Sequence, residues 1–411
     1  MGTGRQYDVL IAGAGPAGLA AALHLVRARP HLAGRVATID KARHPRFKVC
    51  AGGLIPRTMA ALAELGLKLD VPAVEVFGGI ARTEFGAVDL GQAGEPLCTI
   101  IRRDQFDARL ARAARDAGVE LIEETRVQEI AHDGGGVRVT TARGTLEAAV
   151  LIGADGSGSR VRTALFGRGK ENIGRALMVD VPVDADHAPE FSQKLYRFDF
   201  NCVRAGIRGY SWSFPCLIDD RPHLNLGIYD QCPRATVEPG QKKTRLLDEL
   251  QAAFPEIYLG NARNAELPMK AFPIRWYDAA DRYSRGRVIL AGDAAGVDPL
   301  MGEGISCAFE HGKIAAHAVA SYLDGNRDAL EQYGRELHRG TVGRKLRRLG
   351  FAANRFYGPR HRFYFRIAGL SRRAQELGVD WYNGARRLDE ASALNVFLRW
   401  AAAVLLHVPV R

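Results

Sequence analysis

The segment Gly13-Ala14-Gly15-Pro16-Ala17-Gly18 constrains this chain most, because it joins an apolar run, Tyr7–Ala12, to an Ala/Leu-rich stretch, Pro16–Ala28. A strand that turns at once into a helix needs glycine where the backbone bends tightly and where it approaches another group closely. The helix N-terminus then offers unpaired amides and the positive end of its dipole, which is a seat for a pyrophosphate. Asp40 ends the next apolar run, Arg35–Ile39, 22 residues after Gly18. From there a carboxylate accepts hydrogen bonds from a ribose 2′-OH, which favours an adenosine without a 2′-phosphate. The order predicts a βαβ opening that binds a dinucleotide through Gly13, Gly15, Ala17, Gly18 and Asp40. The competing reading is a glycine-rich turn followed by a solvated Asp.

Beyond this opening the chain changes character twice. An amphipathic helix is predicted over Arg103–Ala117, and short alternating runs from ~119 to ~150 predict a small antiparallel meander turning at Asp133-Gly-Gly-Gly. From ~173 to ~270 aromatic, strand-like pieces dominate (LYRFDF, GYSWSF, HLNLGIYD), with one helix around Lys242–Phe254. Strand, turn and helix return at Arg287–Ala320, and residues beyond ~327 read as helical and basic. The formal charge is +11 over 411 residues, which suits an acidic partner, a membrane surface or an anionic cofactor. The six Cys are scattered, with no CxxC pair, so neither a disulfide framework nor a zinc site is expected. No signal-peptide pattern precedes the first strand, and the apolar stretch Ala393–Val410 is interrupted by Asn395, Arg399 and His407. The expected location is the cytoplasm, with peripheral contact to the inner face of a membrane.

Two further apolar runs end in turns, Leu151-Ile-Gly-Ala-Asp155-Gly and Arg287-Val-Ile-Leu-Ala-Gly-Asp293, and the second leads through Asp298-Pro-Leu-Met-Gly302-Glu303-Gly304-Ile305 into a long helix. With the opening motif, this set resembles the FAD-dependent oxidoreductases of the aromatic-hydroxylase-like fold, a group that includes monooxygenases, flavin halogenases and geranylgeranyl reductases. The resemblance implies an α/β fold: a Rossmann-like FAD-binding domain, an antiparallel-sheet substrate domain and a helical C-terminal region. The implied boundaries are 1–78, 100–172 and 268–330 for the first, 79–99 and 173–267 for the second, and 331–411 for the third. It also implies that Asp293 binds the ribityl chain, that the Asp155 turn supports the cofactor, and that Gly302, Glu303, Gly304 and Ile305 meet the flavin pyrimidine edge. A helix N-terminus there would favour an anionic reduced flavin. Arg103 in Ile101-Arg-Arg-Asp-Gln-Phe-Asp107 matches the family's R-x-x-F-D segment, whose Arg reaches the pyrophosphate; the adjacent Arg102 is an alternative. A second GxGxxG is absent, so NAD(P)H or another electron carrier is expected only as a transient donor.

Within that group, Tyr210-Ser-Trp-Ser-Phe-Pro215 resembles the Y-x-W-x-F-P signature of the geranylgeranyl reductases. Tyr210, Trp212 and Phe214 alternate, so a strand carries them on one face, where the resemblance makes them the wall of an apolar substrate cavity; an ordinary sheet core has the same pattern. Halogenases carry W-x-W-x-I-P here, and this chain departs from that. Arg46-Phe-Lys-Val-Cys50-Ala-Gly-Gly-Leu54 resembles the reductases' K-x-C-G-G/D-G-L loop, with Ala51 in place of a Gly, which puts Cys50 beside the flavin. The catalytic candidates are Cys50, Tyr210 and Trp212, and the proton donor is left open among Cys50, Tyr210 and a bound water.

From Arg339 to Arg373 there are eleven Lys/Arg, six aromatics and no Asp or Glu. That composition suits reversible contact with anionic lipid through 339–373, or else a solvated basic face; no nucleic-acid fold accompanies it. The expected activity is saturation of C=C bonds in a polyprenyl group of an isoprenoid or lipid-borne substrate. A monooxygenase acting on an apolar or aromatic compound, a halogenase and a non-catalytic flavin-binding protein remain as alternatives.

Overall fold

Strand Arg5–Ala12 lies inside the larger sheet because it is apolar on both faces, with Val9, Leu10, Ile11 and Ala12 fully buried. Such a run suits a parallel strand covered by helices on both sides. The computed structural model describes residues 5–92, 94–167, 172–231, 246–260, 268–369, 372–383 and Leu398. The eight-stranded sheet runs in the order Ser284–Arg285, Val288–Leu290, Gly144–Gly153, Arg5–Ala12, Val36–Ile39, Glu120–Ile122, with Val137–Thr141 and Val127–His132 appended. Its central pairs are parallel.

Two expectations change here. Glu120–Ile122 is not part of the meander; it pairs in parallel with Val36–Ile39 at the sheet edge. The last meander strand and the strand before Asp155 are one ten-residue element, Gly144–Gly153. Its first half pairs antiparallel with Val137–Thr141, while residues 146–153 run parallel to Arg5–Ala12. Alternation and continuous burial therefore follow one another along a single strand as its surroundings change.

A seven-stranded sheet runs Lys270–Arg275, Ile173–Pro182, Arg221–Asp230, Gly209–Ile218, Leu195–Asp199, Gly78–Thr83, Gly86–Gln92. It is antiparallel except where Leu195–Asp199 pairs in parallel with Gly78–Thr83. Period-2 alternation divides its faces. One buries Val179, Leu224, Leu226 and Ile228 with Leu246, Leu250 and Phe254, and the other carries Tyr196, Tyr210, Trp212, Phe214 and Tyr229. Gly53–Leu54, Cys98–Ile101 and Ala73–Val76 form a third, antiparallel sheet.

The helices, in chain order, are α1 Pro16–Ala28, α2 Pro56–Glu64, α3 Arg103–Asp116, α4 Arg160–Phe166, α5 Pro189–Ser192, α6 Leu246–Ala253, α7 Pro255–Gly260, α8 Ile305–Leu323, α9 Ala329–Arg339, α10 Thr341–Phe356, α11 His361–Gly369 and α12 Arg372–Asn383. The expected helix over 242–254 is described from Leu246; its first residues, Cys232 and the stretch Ala393–Val410 apart from Leu398 lie outside the described residues. Helices α9 to α12 pack in succession, and α12 also reaches strand Gly86–Gln92. Among the described residues no helix is long and apolar enough to cross a membrane.

Helix α1 packs directly on α8 through small side chains. A Cβ at Gly312 would lie 2.7 Å from the Ala17 carbonyl oxygen and 2.9 Å from Ala20 Cβ. Neither helix can yield without displacing the strands beneath it. Gly312→Leu should therefore lower stability by at least ~1–3 kcal/mol, read as a lower denaturant midpoint; an unchanged midpoint would show that the two helices are not in close contact.

Candidate functional site

Tight turns gather at the C-terminal ends of the parallel strands, the end at which open α/β sheets bind ligands. Gly13 leaves its strand with φ +104, and a Cβ there would lie 2.2 Å from the Ala154 carbonyl oxygen. Gly15, the N-cap of α1, has no side-chain cap bond, and a Cβ added to it would meet only Arg46 Nη2 at 3.5 Å. The first amides of α1 thus face a cavity that has room for an anion. Asp40 closes this loop: one carboxylate oxygen accepts the Ala14 N–H at 2.9 Å and the other the Ala42 N–H at 2.9 Å.

One continuous cavity of about 1930 Å³ is bordered by Gly13, Gly15, Ala17, Asp40, Cys50, Arg103, Asp155, Asp293, the 302–305 turn, and Tyr210, Trp212 and Phe214. Simple ligand pockets hold ~300–1,000 Å³, so there is space for a cofactor and a second molecule together. Gly18 does not border the cavity. A Cβ at Gly18 would lie 1.9 Å from the Gly13 carbonyl oxygen, so its part is close packing of the helix on the strand.

Several of the anticipated side chains are committed to the protein itself. Asp155 accepts from Ser159 Oγ, from the Arg160 N–H at 2.7 Å and from the Val161 N–H at 3.2 Å, so it caps α4 from the cavity edge. Burial raises its pKa. Arg103 forms a two-bond fork with Asp107, at 2.8 and 2.9 Å. Burial opposes the Arg103 charge, but the Asp107 carboxylate outweighs it and the pKa rises. Arg102 does not border the cavity; it pairs with Asp180 at 3.2 Å and does not stand in for Arg103.

Asp293 is held from two sides. Its Oδ2 accepts from Ser157 Oγ at 3.0 Å, and Ser157 Oγ accepts the Arg275 N–H at 3.2 Å. The preceding Gly292, at φ +61, donates its N–H to His311 Nδ1 at 3.2 Å. Burial lowers the His311 pKa to about 4, so the ring is neutral and its Nδ1 is an acceptor. Helix α8 thereby fixes the turn that presents Asp293. At the α8 N-terminus, Glu303 accepts the Ser306 N–H at 2.7 Å, while the N-cap Gly304 supplies no side-chain bond.

Across the cavity, Tyr210 donates its hydroxyl to the Met301 carbonyl at 2.5 Å, and Trp212 Nε1 donates to Asn225 Oδ1 at 2.9 Å. The Trp212 indole lies across Gly227, where a Cβ would sit 2.0 Å from Cζ2. Burial raises the Tyr210 pKa, so the phenol keeps its proton. Cys50 Sγ accepts the Gly52 N–H at 3.4 Å.

Sequence reasoning assigned no site role to several residues that border this cavity. Arg46 lies with Nε 3.7 Å from Asp40 and Nη2 3.4 Å from Asp107, and its buried Nε has no hydrogen-bond partner. It is the arginine beside Gly15, and a pyrophosphate would satisfy it. Lys48 stands over the Phe272 ring at 2.9 Å, where burial lowers its pKa to about 8. Tyr196, Phe198 and Phe200 extend the aromatic wall. Their alternation in LYRFDF was the signal available in the sequence.

These residues fit a flavin dinucleotide: the uncapped helix amides and Arg46 would hold its pyrophosphate, Asp40 its ribose and Asp293 its ribityl chain. A family model described as an FAD binding domain matches residues 6–346. The chain belongs to that FAD-binding family. It is 30% identical over 338 residues to the menaquinone reductase of Mycolicibacterium smegmatis, covering 77% of each chain. It is 27% identical over 363 residues to the digeranylgeranylglycerophospholipid reductase of Methanocella arvoryzae, covering 83% of this chain and 85% of that one. A solved geranylgeranyl bacteriochlorophyll reductase-like protein from Thermoplasma acidophilum superposes with a TM-score of 0.70 over 98% of each chain at 20% identity, a likeness of fold. This protein is thus a geranylgeranyl reductase-like, FAD-dependent oxidoreductase.

Arg46→Ala should weaken FAD binding about 10- to 100-fold, the worth of a charge-assisted hydrogen bond, and Asp293→Ala should also release FAD; retention of FAD by both purified variants would contradict these assignments. Asp298, which accepts from Tyr382 Oη at 2.8 Å and from the Leu300 N–H at 2.7 Å, has its pKa raised by burial to about 6. Between about pH 4 and 6 the native state keeps a proton that the unfolded chain has lost. Relative to Asp298→Asn, the native protein should therefore lose about 2–3 kcal/mol of stability as pH rises through that range; parallel stability curves would refute it.

Proposed function

We propose that this protein saturates carbon–carbon double bonds of a polyprenyl chain. The observation that carries the reading is the continuity of the dinucleotide cradle with an aromatic wall in one cavity. Bound FAD, once reduced, supplies a hydride, with NAD(P)H or another carrier as the transient electron source.

The protein's own part is to bind, to align and to keep the site dry. Tyr196, Phe198, Phe200, Tyr210, Trp212 and Phe214 present rings to the cavity, with neighbouring centroids 5.0–6.3 Å apart. An isoprene chain has no polar group to place, so an apolar wall binds it by excluding water. Trp212 is immobilised by Asn225 and Gly227, and an indole N–H is too weak an acid to protonate carbon, so it aligns substrate and does not deliver a proton. Tyr210 holds its proton at Oη, oriented by the Met301 carbonyl, and Cys50 and Lys48 border the same space. The second carbon of the double bond takes its proton from this set or from a water they position. Peripheral membrane contact through 339–373 accords with a lipid-borne substrate.

Incubated anaerobically with a reductant, the FAD-loaded enzyme should give prenyl products heavier by two hydrogens per bond reduced, read by mass spectrometry. Trp212→Ala should retain FAD and lose about 10²-fold in turnover through misalignment. A strict requirement for O2 would instead identify an oxygenase, and full turnover in Trp212→Ala would remove that residue from the site.

A further inference from the structure

Residues 298–301 lead from the Asp293 turn to α8 as neither helix nor strand, and Asp298 and Pro299 are buried. Such a segment has no regular element to satisfy its carbonyls, which need other partners. The Asp298 carbonyl accepts the Gly302 N–H at 3.1 Å. The next three are each taken by a side chain from elsewhere: Pro299 by Gln231 Nε2 at 3.1 Å, Leu300 by Tyr357 Oη at 2.7 Å and Met301 by Tyr210 Oη at 2.5 Å. Tyr382 Oη donates to the Asp298 carboxylate at 2.8 Å.

Two of these grips come from the helical C-terminal region, beyond residue 346, where the match to the FAD binding domain ends. Tyr357 is the buried C-cap residue of α10. Arg208 anchors that end of α10 ahead of strand Gly209–Ile218, donating to Asn354 Oδ1 at 2.8 Å and to the Tyr357 carbonyl at 3.4 Å. Tyr382 lies in the last turn of α12, with the Lys345 Nζ of α10 5.9 Å from its ring centroid. Burial raises the pKa of both phenols, so both keep the proton that they donate. A peptide unit is planar and its N–H points opposite to its C=O. With the Leu300 and Met301 carbonyls drawn to Tyr357 and Tyr210, the Met301 and Gly302 N–H groups have fixed directions too, at the entry to the Gly302–Gly304 turn that borders the cavity.

We propose that Tyr357 and Tyr382 are positioning residues of the flavin site: by holding the 298–301 segment they set the place of the Gly302–Gly304 turn and of the α8 N-terminus. The inference is independent of the polyprenyl reading and rests on the FAD-binding fold. A helix N-terminus favours negative charge only within its first turn. An anionic reduced flavin therefore gains more from a well-placed α8 than the neutral oxidised ring does, and a turn that drifts costs the reduced state more.

Tyr357→Phe, Tyr382→Phe and their combination remove the hydroxyls and keep the rings. The double variant should bind oxidised FAD about tenfold more weakly than the native protein. It should bind reduced FAD a further fivefold or so more weakly, which lowers the midpoint potential of the two-electron couple by about 20 mV, read by dye equilibration of the FAD-loaded protein. Tyr283→Phe is the control. It removes a comparably buried phenol that donates to the Asp278 carbonyl at 3.1 Å and does not border the cavity, so it should leave the potential unchanged whatever stability it costs. Where the double variant retains no FAD, the two single variants are read in the same way at a smaller shift. A fall in potential confined to the variants of Tyr357 and Tyr382 supports the assignment. An unchanged or higher potential overturns it, because bonds that only stabilise the fold weaken both redox states alike. A fall of equal size in Tyr283→Phe overturns it as well.

Discussion

The contact between α1 and α8 sets the geometry of everything around it. Gly312 brings the two helices to backbone distance, and Gly292, where a Cβ would lie 2.6 Å from Ala17 Cβ, brings the Asp293 turn against the same helix. As a result two helix N-termini, at Gly15 and Gly304, open onto one cavity. Helix dipoles act only within their first turn. Their usefulness toward an anionic cofactor therefore depends on this approach, which small side chains on both helices permit.

Charge is managed differently on the two sides of the cavity. On the cradle side, cations are matched to acids: Arg103 is locked to Asp107, and Arg46 lies between Asp40 and Asp107. Buried charges paired in this way hold their positions, since loss of one partner would strand the other. On the α10 side Arg347 donates to the His338 carbonyl and Arg355 lies over the Phe351 ring. The first arrangement preserves a fixed shape.

Much of this was legible in the sequence, and what was missed has a common cause. The Gly13–Gly18 loop, Asp293 and the 302–305 turn could be read because each is a local strand–turn–helix signal whose meaning depends on its immediate neighbours. Tyr210, Trp212 and Phe214 could be placed on one face by period-2 alternation alone. Arg46 could not be picked out, because nothing local says that its side chain crosses to Gly15. The unity of Gly144–Gly153 was hidden for a similar reason: its pattern changes when its partners change. For α10 the composition was visible but not the direction of its arginines, since that depends on which face the core takes.

The indole of Trp212 rests on a residue with no side chain. At position 227 even a methyl group would meet the ring at 2.0 Å, and the ring, anchored at Asn225, has nowhere to go but inward. The bore of the passage is thus governed from behind its wall, by an atom that is missing. Variation at that single hidden position offers a way to alter the width of the cavity beside Trp212 without replacing any residue that lines it.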